Sequence, residues 1–189
     1  MKTHPKQKLY CYVDETGQDT GGDIFLVAVV VTADKREALR GVLEAAEEQS
    51  GKRSNKWSRS TRRQRTAYIQ SVFGLSGASF YYSAYHDTRQ YVDLTILSVA
   101  KAINTYTPQP YSATILVDGL QRSEQHRFAR GLRKLRIHTR KVRGMNDQSD
   151  VFIRLADALA GFVRDALEEK EGMKELYLAA LRNNTIREV

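Results

Sequence analysis

Cysteine is nearly absent from these 189 residues: Cys11 stands alone, which excludes an internal disulfide and any cysteine-rich zinc site. A single thiol inside an apolar segment fits a reducing compartment. The N-terminus lacks the apolar core of a signal peptide, and the longest apolar run, Ile24 to Val31, has eight residues, against the roughly 20 that a membrane-spanning helix needs. The expectation is a cytoplasmic protein with no membrane contact. Only three prolines occur, and no proline- or serine-rich stretch divides the chain. Residues 1–189 therefore read as a single domain, with enough apolar content, 41%, for one buried core. The four histidines, His4, His86, His126 and His138, are scattered, and no metal-binding spacing includes them.

Acids are in deficit. Lys and Arg number 30 against 22 acids, a formal charge of +8, and the surplus falls in two blocks. Ser50 to Thr66 carries Lys52, Arg53, Lys56, Arg59, Arg62, Arg63 and Arg65 with no acid; Arg122 to Arg143 carries nine basic residues, among them Arg130, Arg133 and Arg140, with Glu124 the sole acid. Such blocks form either solvated helix faces or the footprint of a polyanion, because each neutralised phosphate releases counterions. Two blocks in one chain point to nucleic acid, RNA or DNA. Trp57, between Lys56 and Arg59 in an expected loop, is placed either to contact a base or sugar or to anchor that loop to the core. Tyr81, Tyr82 and Tyr85 offer stacking surfaces, although packing of a half-buried sheet is the plainer role.

The acids that remain are placed tellingly. Two apolar strands each run into a carboxylate and then a glycine-bearing turn, Tyr12-Val13-Asp14-Glu15-Thr16-Gly17 and Ile115-Leu116-Val117-Asp118-Gly119. Asp near Gly is also a common turn opener, so either motif alone reads as turn chemistry. A third acid, Asp157, lies in the helical stretch Leu155-Ala156-Asp157-Ala158-Leu159-Ala160-Gly161. If the two strands are parallel neighbours, their ends lie about 5 Å apart, and a helix packed on the sheet brings the third acid to the same rim. Short, rigid carboxylates of this kind suit Mg2+ or Mn2+, which keep several waters and accept a few protein oxygens. Asp150 shares the narrow polar face of Asp157 two turns away and is a further candidate ligand. That face has a structural reading too, with Arg154 tied to both acids and Gly161 allowing a close approach. Glu15 points away from Asp14 if the strand continues, which gives it a supporting role.

Periodicity places strands at Lys8 to Val13 and Asp23 to Thr32, joined through a turn-rich link, Gly17 to Gly22. A helical insertion spans about 34–75, with helices at Asp34 to Gln49 and Ser60 to Phe73 around a loop from Ser50 to Ser58. A strand at Ala78 to His86 follows, then a helix at Arg89 to Tyr106 closed by Pro108 and Pro110. The remainder reads as strand Ser112 to Val117, helix Ser123 to Leu135, strand Ile137 to Val142 and a helix from Ser149, its N-cap, to Glu168. A last helix, Met173 to Leu181, presents Met173, Leu176, Tyr177 and Ala180 on one face to its own core. This is an α/β pattern in which the strand after the insertion could run in either direction.

The order of elements, with an acid ending the first and fourth strands and Ala-Asp-X-Leu-Ala in the helix after the fifth, resembles the ribonuclease H-like superfamily. That resemblance implies a five-stranded mixed sheet of order 3-2-1-4-5 with helices on both faces. More closely, Val13-Asp14-Glu15-Thr16-Gly17, Lys56-Trp57, Leu116-Val117-Asp118 and Leu155 to Gly161 resemble the family catalogued as domain of unknown function 3800, from residue 8 to about 165. The chain departs from that family's pattern in having Thr16 where Ser is usual, Arg154 where Gln is common, and no Glu just before Lys56. A fourth acid of ribonuclease H relatives has no clear match, although Asp93 lies near its place. The resemblance implies a metal-dependent nuclease with Asp14, Asp118 and Asp157 as catalytic metal ligands, Glu15 and Lys56 in support, and Mg2+ or Mn2+ as cofactor. The alternative is a non-catalytic nucleic-acid-binding or scaffold protein that kept the fold.

Overall fold

The computed structural model describes residues 6–18, 23–33, 35–107, 110–146 and 150–189. The expected turn residues 19–22, the helix start at Asp34, Pro108 and the cap at Ser149 lie outside these. The strands are β1 (Gln7–Thr16), β2 (Phe25–Thr32), β3 (Ala78–Tyr85), β4 (Tyr111–Asp118), β5 (Thr139–Met145) and β6 (Ile186–Glu188). The helices are α1 (Arg36–Ser50), α2 (Arg62–Phe73), α3 (Tyr91–Tyr106), α4 (Gln125–Lys134), α5 (Val151–Leu167) and α6 (Met173–Arg182), with a 3-10 turn at Trp57–Arg59.

One sheet holds all six strands in the order β5-β4-β1-β2-β3-β6. The expected order 3-2-1-4-5 is present within it, and the correction is a sixth strand. Ile186–Glu188 is too short and too polar to announce itself, yet it fills the open side of β3 in parallel, Phe80 opposite Ile186. β1 pairs antiparallel with β2, and β2 with β3, which decides the direction left open after the insertion. β1, β4 and β5 are parallel. β5 also sits later than expected, beginning after a left-handed Arg136 (φ 61°) and running to Met145. Its basic residues masked the strand pattern, and they are tolerated because β5 is an edge, where side chains reach water.

Strand alternation sorts the core into two layers. Leu9, Cys11 and Val13 of β1, the odd-numbered residues of β2 and Ile115 and Val117 of β4 face α3 and α4, meeting Ile96, Val99, Ile103, Phe128 and Leu132. Tyr12, Leu26, Ala28, Val30 and Leu116 face the other way, onto α5, α1 and α2. β2 is buried along its whole length, as a central strand covered on both faces must be. The inward face of α6 is as expected: Met173, Tyr177 and Ala180 are buried and Leu176 packs against the same core. Tyr81 and Tyr82 are buried too, so β3's aromatics serve packing.

α5 crosses the centre of one face. Its N-cap is Asp150, whose Oδ1 accepts the Phe152 N–H at 2.9 Å, in place of the expected Ser149. Phe152 stacks on Tyr12 with ring centroids 4.6 Å apart. Arg154, expected to pair along its own helix with Asp150 and Asp157, also leaves that helix. It reaches α1 and binds both carboxylate oxygens of buried Glu47, at 2.8 and 2.7 Å. Such a buried fork fixes where the helix sits and is costly to break from one side. Arg154→Ala is therefore expected to lower the unfolding free energy by about 3–5 kcal/mol, measured by urea denaturation, and Glu47→Gln to lower it by less because one hydrogen-bonding oxygen survives.

Candidate metal and phosphate site

β1 and β4 deliver two acids to one rim. Val13 lies opposite Val117 in parallel register, so Asp14 and Asp118, the next residue on each strand, emerge side by side, about 5 Å apart by strand spacing. β1 runs two residues further, through Glu15 and Thr16, before Gly17 turns the chain at φ 100°; a Cβ there would lie 1.9 Å from the Ile24 carbonyl oxygen, so only glycine fits. α5 supplies Asp157 to the same neighbourhood.

Two adjoining cavities open here. The first, about 400 Å³, is lined by Asp14, Glu15, Asp118 and Glu124, together with Thr95 of α3 and Phe128 of α4. The second, about 520 Å³, lies on the α5 side and is lined by Asp14, Glu15, Asp157, Lys56, Trp57, Arg65, Arg164 and Lys170 among others. One cavity is acid-lined and its neighbour mixes four bases with acids that include Asp165 and Glu168, and Asp14 and Glu15 are common to both. Alternation along β1 explains the sharing, since Asp14 belongs to the face of Tyr12 and Glu15 to the face of Val13.

Electrostatics register the crowding. Burial pushes the Asp14 carboxyl well above the usual carboxylate range, and the Asp157 and Asp118 charges push it further, while the Glu15 N–H donated to its Oδ1 at 2.8 Å opposes the rise. Among the described residues no Lys or Arg stands within 4.0 Å of Asp14. Glu15 is raised to about 7, first by burial and then by Asp118 and Glu124, although Thr95 and Gln18 donate hydrogen bonds to it at 3.2 and 2.8 Å. The donor set, all carboxylate oxygen around an uncompensated buried acid, suits a hard divalent cation. Among the described residues, no three His, Cys, Asp or Glu side chains are grouped closely enough to hold a metal ion as they stand.

Asp157 has a second task. Its Oδ2 accepts the Trp57 backbone N–H at 2.8 Å, tying the insertion to α5. Trp57 is 4% exposed, and its Nε1–H donates to Asp165 Oδ2 at 2.7 Å. This corrects the expected base contact: Trp57 is the anchor of its loop. Gly161 permits the anchoring, because a Cβ there would fall 2.2 Å from the indole Cδ1.

The remaining candidates divide. Lys52 is not available to nucleic acid. It is fully buried, its Nζ donating to the Asn55 carbonyl at 2.7 Å beside Glu47 and over the Tyr68 ring, because the loop folds back on α1. Lys56 is exposed at the second cavity. Arg53, Arg59, Arg62 and Arg63 are exposed, with Arg53 near Glu48 and Arg62 paired to Glu171 at 2.8 Å. Arg130, Arg133 and Arg140 are exposed, and Arg133 lines a different cavity at the start of β4, the rim opposite the acids. Asp150 lines neither acid cavity; its Oδ2 pairs with Arg40 at 2.9 Å. Asp93 pairs with Arg127 on the surface.

Sequence reasoning missed Glu124, Arg65 and Lys170. Glu124 carried a signal, the sole acid in the second basic block and the residue before a helix. Arg65 carried only its membership of the first basic block and Lys170 carried none, since both are placed by pairing with buried Asp165, at 2.8 and 2.6 Å.

Two outcomes are expected. Folded Glu15 holds its proton up to about pH 7 while the unfolded chain releases it near 4.5, so the native state binds more protons between these values and stability falls as pH rises through that window. The slope for one proton is at most about 1.4 kcal/mol per pH unit. Glu15→Gln should flatten this fall in denaturation curves taken from pH 4.5 to 7.5. Gly161→Ala should displace the chain's single tryptophan, red-shift its emission and destabilise the fold by about 1–3 kcal/mol.

No family model matches the chain, and no curated protein matches it. Solved structures do. RNase HII from Archaeoglobus fulgidus, in its complex with PCNA, superposes with a TM-score of 0.56 at 16% identity, over 89% of this chain and 76% of that one. Ribonuclease H2 from Pyrococcus horikoshii gives 0.58 at 18%, over 87% and 77%. A variant of Bst-RNase HIII gives 0.52 at 15%, over 84% of this chain and 51% of that one. At such identities the likeness is one of architecture: an α/β fold with a six-stranded mixed sheet, similar to that of the RNase HII and HIII structures.

Proposed function

We propose that this chain is a divalent-metal-dependent nuclease hydrolysing phosphodiester bonds of RNA or DNA, with Asp14, Asp118 and Asp157 as its metal-holding acids. The observation that carries the reading is the junction at Asp14 of an acid-lined cavity and one that mixes acids with bases. Supporting it are the fold shared with the ribonuclease structures, the net positive charge, and the absence, among the described residues, of any helix long and apolar enough to cross a membrane. Membership of the family catalogued as domain of unknown function 3800 is part of the same proposal and rests on the motifs around Asp14, Asp118 and Asp157.

In this reading Asp14 and Asp118, with Asp157 from α5 and Glu124 beside the first cavity, hold Mg2+ or Mn2+. When bound, such a cation supplies an activated water and relieves charge on the leaving oxygen. The protein's own groups do the rest. The strand ends hold the carboxylates rigidly, and Glu15, raised towards neutrality, is poised to accept or hold a proton beside Asp118. Lys56, Arg164 and Lys170 line the second cavity, Arg164 paired with Glu168 and Lys170 with Asp165, and a phosphate there would share these cations with the acids. A second reading, a binding protein that retained the fold, draws on the Asp157 oxygen already taken by the Trp57 N–H.

Labelled single strands, duplexes and RNA–DNA hybrids incubated with Mg2+, Mn2+ or EDTA separate the two. Cleavage is expected with metal only, falling more than about 100-fold in Asp14→Asn and Asp118→Asn, since first ligands matter more than the outer partners that cost 10–100-fold. Both variants should bind nucleic acid in EDTA as well as the parent or better, because an acid that repels phosphate has gone. The metal-free melting temperature of Asp14→Asn should rise, and Mn2+ should stabilise both variants less than the parent. Intact substrates under every metal, with binding retained, would leave the binding reading standing; lost binding in the variants would make these acids supports of the fold.

A further inference from the structure

The two basic blocks, alike in sequence, have different fates. In the first, Lys52, Arg53, Arg62 and Arg65 lie against Glu47, Glu48, Glu171 and Asp165. In the second, only Arg127 has a carboxylate within 4.0 Å among the described residues, Asp93 at 3.0 Å. Arg130, Arg133 and Lys134 on α4, and Arg140, Lys141 and Arg143 on β5, are all exposed and have no such partner among those residues.

These bases lie on two elements that pack against each other, α4 and β5. α4 buries Phe128, Ala129 and Leu132 against the sheet, which turns its arginines outward. β5 is the sheet's edge: Val142 packs under α4, while Lys141 and Arg143, its neighbours by alternation, stand exposed on the strand's other side. The positive surface thus runs along the helix and wraps the edge. At one end it begins beside the acid-lined cavity, to which Glu124 and Phe128 belong; at the other, Arg133 lines a cavity of about 260 Å³ at the opposite rim. Ten helical residues span about 15 Å, the axial length of roughly four nucleotides of a duplex strand.

We infer that the α4–β5 face is a docking track for the sugar–phosphate backbone of nucleic acid, holding the strand that leads away from the acid-lined cavity. The inference takes nucleic acid as its polyanion from the nuclease reading, and it adds where the flanking strand lies. Arginine dominates the track, and its forked guanidinium matches phosphate oxygens better than an ammonium does.

The test is binding in EDTA, where no cleavage is needed. The affinity of the full chain for a fluorescent 20-nucleotide strand and for its duplex is measured by anisotropy across a salt series, beside the triple variant Arg130→Gln/Arg133→Gln/Arg140→Gln. Losing three phosphate contacts should reduce the log–log salt slope by about 2–3, lower affinity at least tenfold near 100 mM salt, and leave the melting temperature unchanged. A reduced slope with no cleavage by the parent would uphold the track and remove the nuclease reading. An unchanged slope overturns the track. If, with that unchanged slope, the variant self-associates, the charges protect the open β5 edge; if it instead loses binding to phosphatidylserine vesicles, the surface meets membranes.

Discussion

The parallel register of β1 against β4 is the constraint on which the candidate site depends. Val13 opposite Val117 is held by burial on the α3–α4 face, and Tyr12 and Leu116 are buried on the other. A slip of one residue would exchange the two sets and turn Asp14 and Asp118 out of step. The hydrophobic core therefore does what the acids cannot do for themselves, because carboxylates left to their own charges would move apart. Burial without a cationic partner is the cost, visible in the raised affinity of Asp14 and Glu15 for protons. Perturbation of this kind, caused by desolvation and like charge at the edge of a cavity, makes a position a candidate for function.

The insertion completes the site through a single indole. Trp57 is fixed from three sides, by its backbone N–H to Asp157, its Nε1–H to Asp165 and its ring against Gly161. The Arg65 guanidinium lies 5.3 Å from the ring centroid and binds both the Trp57 carbonyl and Asp165. Fixing Trp57 in this way fixes Lys56 beside it and brings Arg65 to the second cavity. A segment that reads as a loose basic loop is thereby turned into a wall, and several of its charges are consumed by internal pairing before any ligand arrives.

What was legible in the sequence follows a physical division. Elements with strong periodicity or a buried face, such as β2, α5 and α6, were readable because one chemistry dominates along their length. The acids were readable because strand ends and glycine turns sit next to them. Partnerships between distant residues were not. Lys52 looks identical to Arg59 in composition, and only the return of the chain to Glu47 separates a core lysine from a surface arginine. Asp150 and Asp157 share a helix face, yet the first caps its own helix and the second holds another segment. β6 escaped notice because three residues cannot show a period, and β5 was misplaced because an edge strand need not hide its charges.

The distribution of charge also links metal and polyanion. The chain as a whole attracts phosphate, while the first cavity, lined by four carboxylic acids, repels it. A backbone drawn in by the surrounding bases meets, on the nuclease reading, its least favourable field at the rim where Asp14 and Asp118 stand. On the nuclease reading, neutralising that rim with a divalent cation lowers the penalty on the acids and on the arriving phosphate together. Each ligand then binds more tightly in the presence of the other, and by the same factor in both directions. The basic flanks supply general attraction, and the acidic centre makes productive seating conditional on the cation. A site built from histidine or from a lone nucleophile would not impose that condition.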